Sequence, residues 1–277
     1  MSNICFDFEN ENGFFCVFFF FLQTYIYCRK HDKIMYIKDD KYKFKYENGL
    51  DDYIILNSYV RKYKKELTET IFYGHGRVPH IDITFNDYKH YSKELFIIKT
   101  DILLKYNLPD SYNSIFLRGG DKLLNEAKQV AISEYVNTLL QNDNDTKNVF
   151  VHSDDNLLVE KVKQYIENKN IDLHVYKITN NKSNGGAVVM NRLKQRQCKH
   201  IKSVDGMNNE EIKEHVILML TAFDIIKRSN NVVGSFDTNV CRFMKINYDC
   251  NVYSVNKNYK FDLNKEIKNP AYGFKLN

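Results

Sequence analysis

From residue 113 onward the chain alternates between short apolar runs and helix-length amphipathic segments, a rhythm that few folds can satisfy. "SIFLR" (114–118) reads as a strand and residues 122–140 as a helix. "NVFVH" (148–152) is a strand, 156–168 a helix, and "DLHVYKI" (172–178) a further strand. Residues 210–228 carry Ile212, Val216, Met219, Leu220, Phe223 and Ile226 at helical spacing. "NVVGS" (231–235), a short helix over 239–246 and "NVYSV" (251–255) complete the series. Strands joined by helices imply a parallel, doubly wound sheet. The N-terminus repeats the theme: "NICFDF", an Asn12-Gly13 turn, a Phe-rich helix, then the strand "KIMYI" (33–37). Residues 38–111 are less regular, with a "YGHGR" loop at 73–77.

Composition removes several alternatives. Three prolines and eleven glycines among 277 residues leave little room for a disordered linker. A net charge of +5 suits anionic ligands but lacks the dense basic stripe of a nucleic-acid binder, so no nucleic-acid partner is expected. Six scattered cysteines, with no C-x-x-C pair, read as buried reduced thiols. The block "GFFCVFFFFLQTYIYC" (13–28) follows acidic residues, is interrupted by Gln23 and Thr24, and falls short of the ~20 residues that span a bilayer. It reads as a buried core helix in a soluble, cytoplasmic protein with no stable membrane insertion. Its basic end, "RKHDK", suits a helix C-terminus.

In doubly wound sheets, ligands bind outside the carboxyl ends of the strands. Three strand ends here carry polar clusters: Arg118-Gly119-Gly120-Asp121-Lys122, His152-Ser153-Asp154-Asp155, and Phe236-Asp237-Thr238-Asn239. Their shared position argues for one site. A guanidinium at Arg118 can hold two phosphate oxygens, and Gly119 and Gly120 let backbone approach a ligand; a surface arginine before a Gly-Gly turn is the plainer meaning. Thr238 and Asn239 begin a helix, which is either an anion site or simple N-capping. Asp154 and Asp155 are either acceptors for ribose or base, or the cap of the next helix. Lys122 and Glu126, four apart on one helix face, are either a surface ion pair or a general base with an orienting cation.

"FLRGGDKLLNEAKQVAISEYVNTL" resembles the first shared motif of the fucosyltransferase superfamily, whose α1,6 branch has H-V-R-R-x-D-K followed by a Glu four residues after the Lys. "VFVHSDDNLLVEKVK" is similar to the second motif, a strand ending in (S/T)-D-D. "NNVVGSFDTNVCRFMKI" is similar to the third, a strand ending in (T/S)-F-S-S before a helix that begins x-V-C-R. The three occur in the family's order over residues 114–246.

The resemblance implies an α/β protein of two facing Rossmann-like domains, the GT-B type. Residues 1–111 would form an acceptor-side domain and residues 112–277 the domain that binds the nucleotide sugar. It implies transfer of fucose from GDP-fucose to a glycan with inversion, with no metal and no further cofactor. Arg118 would hold the β-phosphate, Glu126 would deprotonate the acceptor hydroxyl, and Lys122 would lie beside it. Asp154 and Asp155 would sit on the nucleoside side, Thr238 and Asn239 at the phosphates, and Asp224 at the guanine. Gly119, Gly120, Asp121, Phe236 and Asp237 complete the donor-binding set. Three positions depart from the pattern: Phe116 replaces the motif's His, Gly119 its second Arg, and Asp237 the first Ser. They leave open a second expectation, a catalytically silent descendant that binds a nucleotide or glycan as a structural or interaction protein.

Overall fold

The computed structural model describes residues 2–9, 13–119, 130–178, 183–184, 201–202 and 204–256. The chain forms two compact units, one drawn from residues 1–102 and 208–213 and the other from residues 103–207 and 214–260. Each is built around a parallel sheet.

The first unit holds β1 (Asn3–Asp7), β2 (Met35–Lys38), β3 (Val60–Lys62) and β4 (Thr70–Tyr73) in the order β3-β2-β1-β4. Helix α1 (Phe14–Lys30) connects β1 to β2 and is buried on nearly every face, as a helix without a polar stripe must be. Its rings interlock with the sheet: Phe21 lies 5.4 Å from Phe6 and 5.0 Å from Phe8, tilted rather than stacked. Arg29 and Lys30 stand in its last turn, where the helix dipole favours cations. Among the described residues no helix is long and apolar enough to cross a membrane. Helix α2 (Phe85–Leu95) starts at a capping box, Thr84 Oγ1 accepting from Asp87 N while Asp87 Oδ2 accepts from Thr84 N.

In the second unit, β5 (Asn113–Leu117), β6 (Asn148–Ser153), β7 (His174–Tyr176), β10 (Asn231–Gly234) and β11 (Asn251–Ser254) form the sheet β11-β10-β5-β6-β7, every ladder parallel. A separate two-residue ladder pairs β8 (Ser183–Asn184) with β9 (Ile201–Lys202). One face of the main sheet packs Ile115, Leu117, Val149 and Val151 against Val136 and Leu139 of α3 (Ile132–Asn142) and Val159 and Val162 of α4 (Asn156–Asn168). Strand alternation turns Phe116, Phe150 and His152 to the other face, where Phe116 meets Phe223 of α5 (Asn209–Lys227) at 6.0 Å. Helix α6 (Asn239–Asn247) approaches β10 closely: a Cβ built on Gly234 would lie 2.4 Å from Cys241 Sγ.

One sequence expectation changes. The sequence spacing implies a single helix over 122–140, yet Ala131 is extended (φ −62°, ψ 142°) and α3 begins only at Ile132. Residues 122–129 lie outside the described residues.

Candidate functional site

The strand order of the second unit reverses between β5 and β10. From β5 the chain steps outward through β6 to β7, then returns to place β10 and β11 on the opposite side. The connections leaving β5 and β10 therefore diverge to opposite faces and open a crevice at their carboxyl ends, the usual ligand position in such sheets. Arg118 and Gly119 follow β5, and Ser235 to Asn239 follow β10.

Arg118 is held from the neighbouring strand. Its guanidinium pairs with Asp154 Oδ2, both side chains being mostly buried. Asp154 Oδ1 accepts the Gly119 N–H at 2.7 Å. One carboxylate thus clasps the cation and the backbone that follows β5, and Asp154 is committed to fixing this corner. Gly119 is required by packing. A Cβ there would stand 2.6 Å from Asp155 Cβ and 3.1 Å from Leu158 Cδ1. Asp155 caps α4, accepting from Leu157 N at 3.0 Å, while its own N–H donates to Ser153 Oγ at 3.0 Å. A cavity of about 300 Å³ opens beside Leu117, Arg118 and Tyr135.

On the β10 side, Thr238 is the N-cap of α6: its hydroxyl accepts from Cys241 N at 3.4 Å and donates to Ser235 O at 2.9 Å. The first turn's remaining N–H groups give this end of α6 a partial positive charge. Asp237 accepts a hydrogen bond from Ser235 Oγ. Buried Arg242 donates from Nε to Phe236 O at 2.8 Å and from a terminal nitrogen to Asn239 Oδ1 at 3.1 Å. Phe236 is buried and anchored to Ser254 Oγ through its N–H at 3.3 Å.

Two histidines complete the cluster. His152, at the end of β6, pairs in register with Phe116 and is 6% exposed, and its Nδ1 has no hydrogen-bond partner. Burial, then the nearby His215 of α5, pushes its pKa down to about 4. His215 is likewise pushed down to about 4, by burial and then by the Arg118 cation.

The structure therefore brings together Arg118, Gly119, Asp154, Asp155, Phe236, Asp237, Thr238 and Asn239 at one sheet edge. Gly120, Asp121, Lys122 and Glu126 lie outside the described residues. Asp224 is not brought to them. It lies nine residues beyond His215 on α5, about 13 Å along the helix. There it pairs with Arg228 and accepts from the Tyr106 hydroxyl at 3.2 Å, near Tyr112, the residue preceding β5. That is the amino-terminal edge of the sheet. His215 and Arg242 are members that the sequence does not reveal, and His152, though part of the quoted strand-end cluster, carries no role there. Nothing near His215 in the sequence connects it to β6.

No protein-family model matches the chain, and no curated protein matches it by sequence. Solved structures do. A crystal structure of NodZ alpha-1,6-fucosyltransferase soaked with GDP-fucose superimposes with a TM-score of 0.55 at 9% identity, over 90% of this chain and 93% of that one. A crystal structure of POFUT1 in complex with GDP gives 0.52 at 8% identity, over 92% and 98%. The chain has the fold of these fucosyltransferases. It is a mixed α/β protein of the GT-B type whose two main sheets, among the described residues, are parallel.

Proposed function

We propose that the second unit binds a nucleotide sugar, GDP-fucose or a close relative, and transfers the sugar to a glycan hydroxyl without a metal ion. The observation that supports this most is that Arg118 and the N-terminus of α6 follow neighbouring strands, β5 and β10, where the strand order reverses, in a chain folded like enzymes solved with GDP and GDP-fucose. Both groups favour a diphosphate. In the reaction, the acceptor oxygen attacks the anomeric carbon from the face opposite the diphosphate. The carbon–oxygen bond to the β-phosphate breaks, and its electron pair leaves with the diphosphate. The acceptor proton passes to the carboxylate of Glu126, which Lys122 keeps ionised.

The pairing of Arg118 with Asp154 favours a second reading, in which the chain binds a nucleotide or glycan without turnover. The guanidinium is already neutralised, and a phosphate must displace a carboxylate to reach it. Calorimetry with GDP and a screen of glycans with GDP-fucose for released GDP separate the two. Arg118→Ala should weaken GDP by roughly 10–150-fold, the loss of a charged hydrogen bond worth about 1.5–3 kcal/mol. Glu126→Gln should leave GDP binding intact and lower turnover at least ~100-fold. GDP binding with no donor turned over selects the silent reading. Unchanged affinity in Arg118→Ala, or binding abolished by EDTA, removes the proposed site.

A further inference from the structure

His152 is an unusual core residue. The large majority of buried side-chain polar atoms find a partner, yet its Nδ1 finds none, although the residue is 94% buried and packed against aromatic neighbours. The Phe116 ring lies 6.1 Å away and the Phe150 ring 6.4 Å, nearly parallel. The unsatisfied nitrogen belongs to the end of β6, two residues before the Arg118–Asp154 clasp.

Helix α5 covers the same face. It precedes β10 and runs against the strands, so its first turns lie toward their carboxyl ends. Phe223 meets Phe116, and His215, eight residues earlier, is about 12 Å nearer that edge. It keeps part of its surface exposed.

We infer that His215 and His152 form a proton-accepting pair belonging to the anion site at Arg118, and that a bound diphosphate is held in part by a proton which the pair takes up. This rests on the nucleotide-sugar reading above. Without a ligand both rings are neutral, because burial and the Arg118 cation oppose a further positive charge. A diphosphate beside Arg118 reverses the sign of the local field. Among the described residues, the charged groups around this corner include Arg118 after β5, Asp154 and Asp155 after β6, Lys161 of α4 beside the Arg118 cavity, and Asp237 and Arg242 around the start of α6. None of them gains charge on binding, whereas the imidazoles can. The leaving diphosphate carries more negative charge than the intact sugar nucleotide, so the proton favours the departing group over the bound donor, the differential binding that speeds a reaction.

The test is calorimetry of GDP binding to the full-length protein at pH 7 in two buffers of different ionisation enthalpy, which counts the protons exchanged. Wild type should take up about one proton more than His215→Gln or His152→Gln, a difference that cancels the nucleotide's own titration. Its GDP affinity should rise about tenfold per pH unit on acidification, with a flatter slope in the variants. Equal proton counts in folded variants and wild type would overturn the pair while leaving the nucleotide site standing. Failure of wild type to bind GDP or inorganic pyrophosphate would overturn both. Ring-labelled histidine NMR on wild type needs no variant to fold: both rings should be neutral at pH 6 without ligand, and one should become protonated when GDP is added. Rings left neutral at saturating GDP would refute the inference.

Discussion

Gly119→Ala tests how tightly the end of β5 is fitted to the start of α4. The added methyl would stand 2.6 Å from Asp155 Cβ, 3.1 Å from Asp154 Oδ1 and 3.1 Å from Leu158 Cδ1, against ~3.5–4.0 Å for a relaxed carbon–carbon contact. The Leu158 methyl can rotate away. Asp155 Cβ cannot, because it is fixed to the backbone and its side chain caps α4. Relief must come from retreat of Gly119, which stretches the 2.7 Å bond from its N–H to Asp154. Overpacking costs about 1–3 kcal/mol, and a weakened bond to a carboxylate adds part of a further ~1.5–3. A loss of roughly 2–4 kcal/mol is expected, read as a lower urea midpoint with little change in slope. Adding Leu158→Ala should recover none of the Asp155 overlap and so leave most of the loss. A Gly119→Ala protein within about 0.5 kcal/mol of wild type would show that this corner yields freely, and the packing account of Gly119 would fall.

Two further perturbations follow from the same geometry. Gly234→Ala should cost about 1–3 kcal/mol by pressing on Cys241 Sγ; Cys241→Ala in that background should restore part of it, and strictly additive losses in the double-mutant cycle would exclude the contact. Acid should destabilise the second unit early, because the unfolded chain binds protons at His152 and His215 near pH 6.5 and the folded chain only near 4. The stability these rings contribute is complete above about pH 6.5 and is lost as pH falls toward 4, by at most about 3 kcal/mol per ring. His152→Gln should flatten urea midpoints measured across that window, and an unchanged slope would deny the buried, neutral ring.

What the sequence reveals here depends on whether the signal is local. Strands β5, β6 and β10 and helices α4, α5 and α6 stand close to where periodicity places them, because each buries one face and writes that face into its spacing. The cap at Asp155 and the cap at Thr238 are local for the same reason. The break before α3 is not legible: the residues around Val130 and Ala131 include no Gly or Pro, and nothing short-range marks Ala131 as extended. Strands β3 and β4 escape notice because they are short, partly exposed edge strands without clean alternation. Gly119 is the most instructive position. By motif it is a missing cation, but in the fold it is the only residue type that lets Asp154 and Asp155 close on β5. Asp224 misleads in the opposite way, since a plausible spacing along the chain runs down α5 to the wrong edge of the sheet.

The charges at the described strand ends explain why a proton matters to this site. Among the described residues three cations, Arg118, Arg242 and Lys161 of α4, which lines the cavity beside Arg118, accompany three carboxylates, Asp154, Asp155 and Asp237. Their sum is zero at the edge proposed to receive a diphosphate. The start of α6 adds roughly half a positive charge, far short of what a diphosphate carries. Full exchange of Asp154 for a phosphate on Arg118 would not change that sum; it would only free the Gly119 N–H, donor of the 2.7 Å bond to Asp154, as an additional donor. Lys122, outside the described residues, can supply one further cation, and the His152–His215 pair another. Only the histidine contribution titrates between pH 5 and 8, so the two sources are separable by experiment. If Lys122 alone redressed the balance, GDP affinity at constant ionic strength would follow the ionisation of GDP itself. If the histidines share in it, affinity acquires the additional slope that His215→Gln abolishes while Lys122→Met leaves it in place.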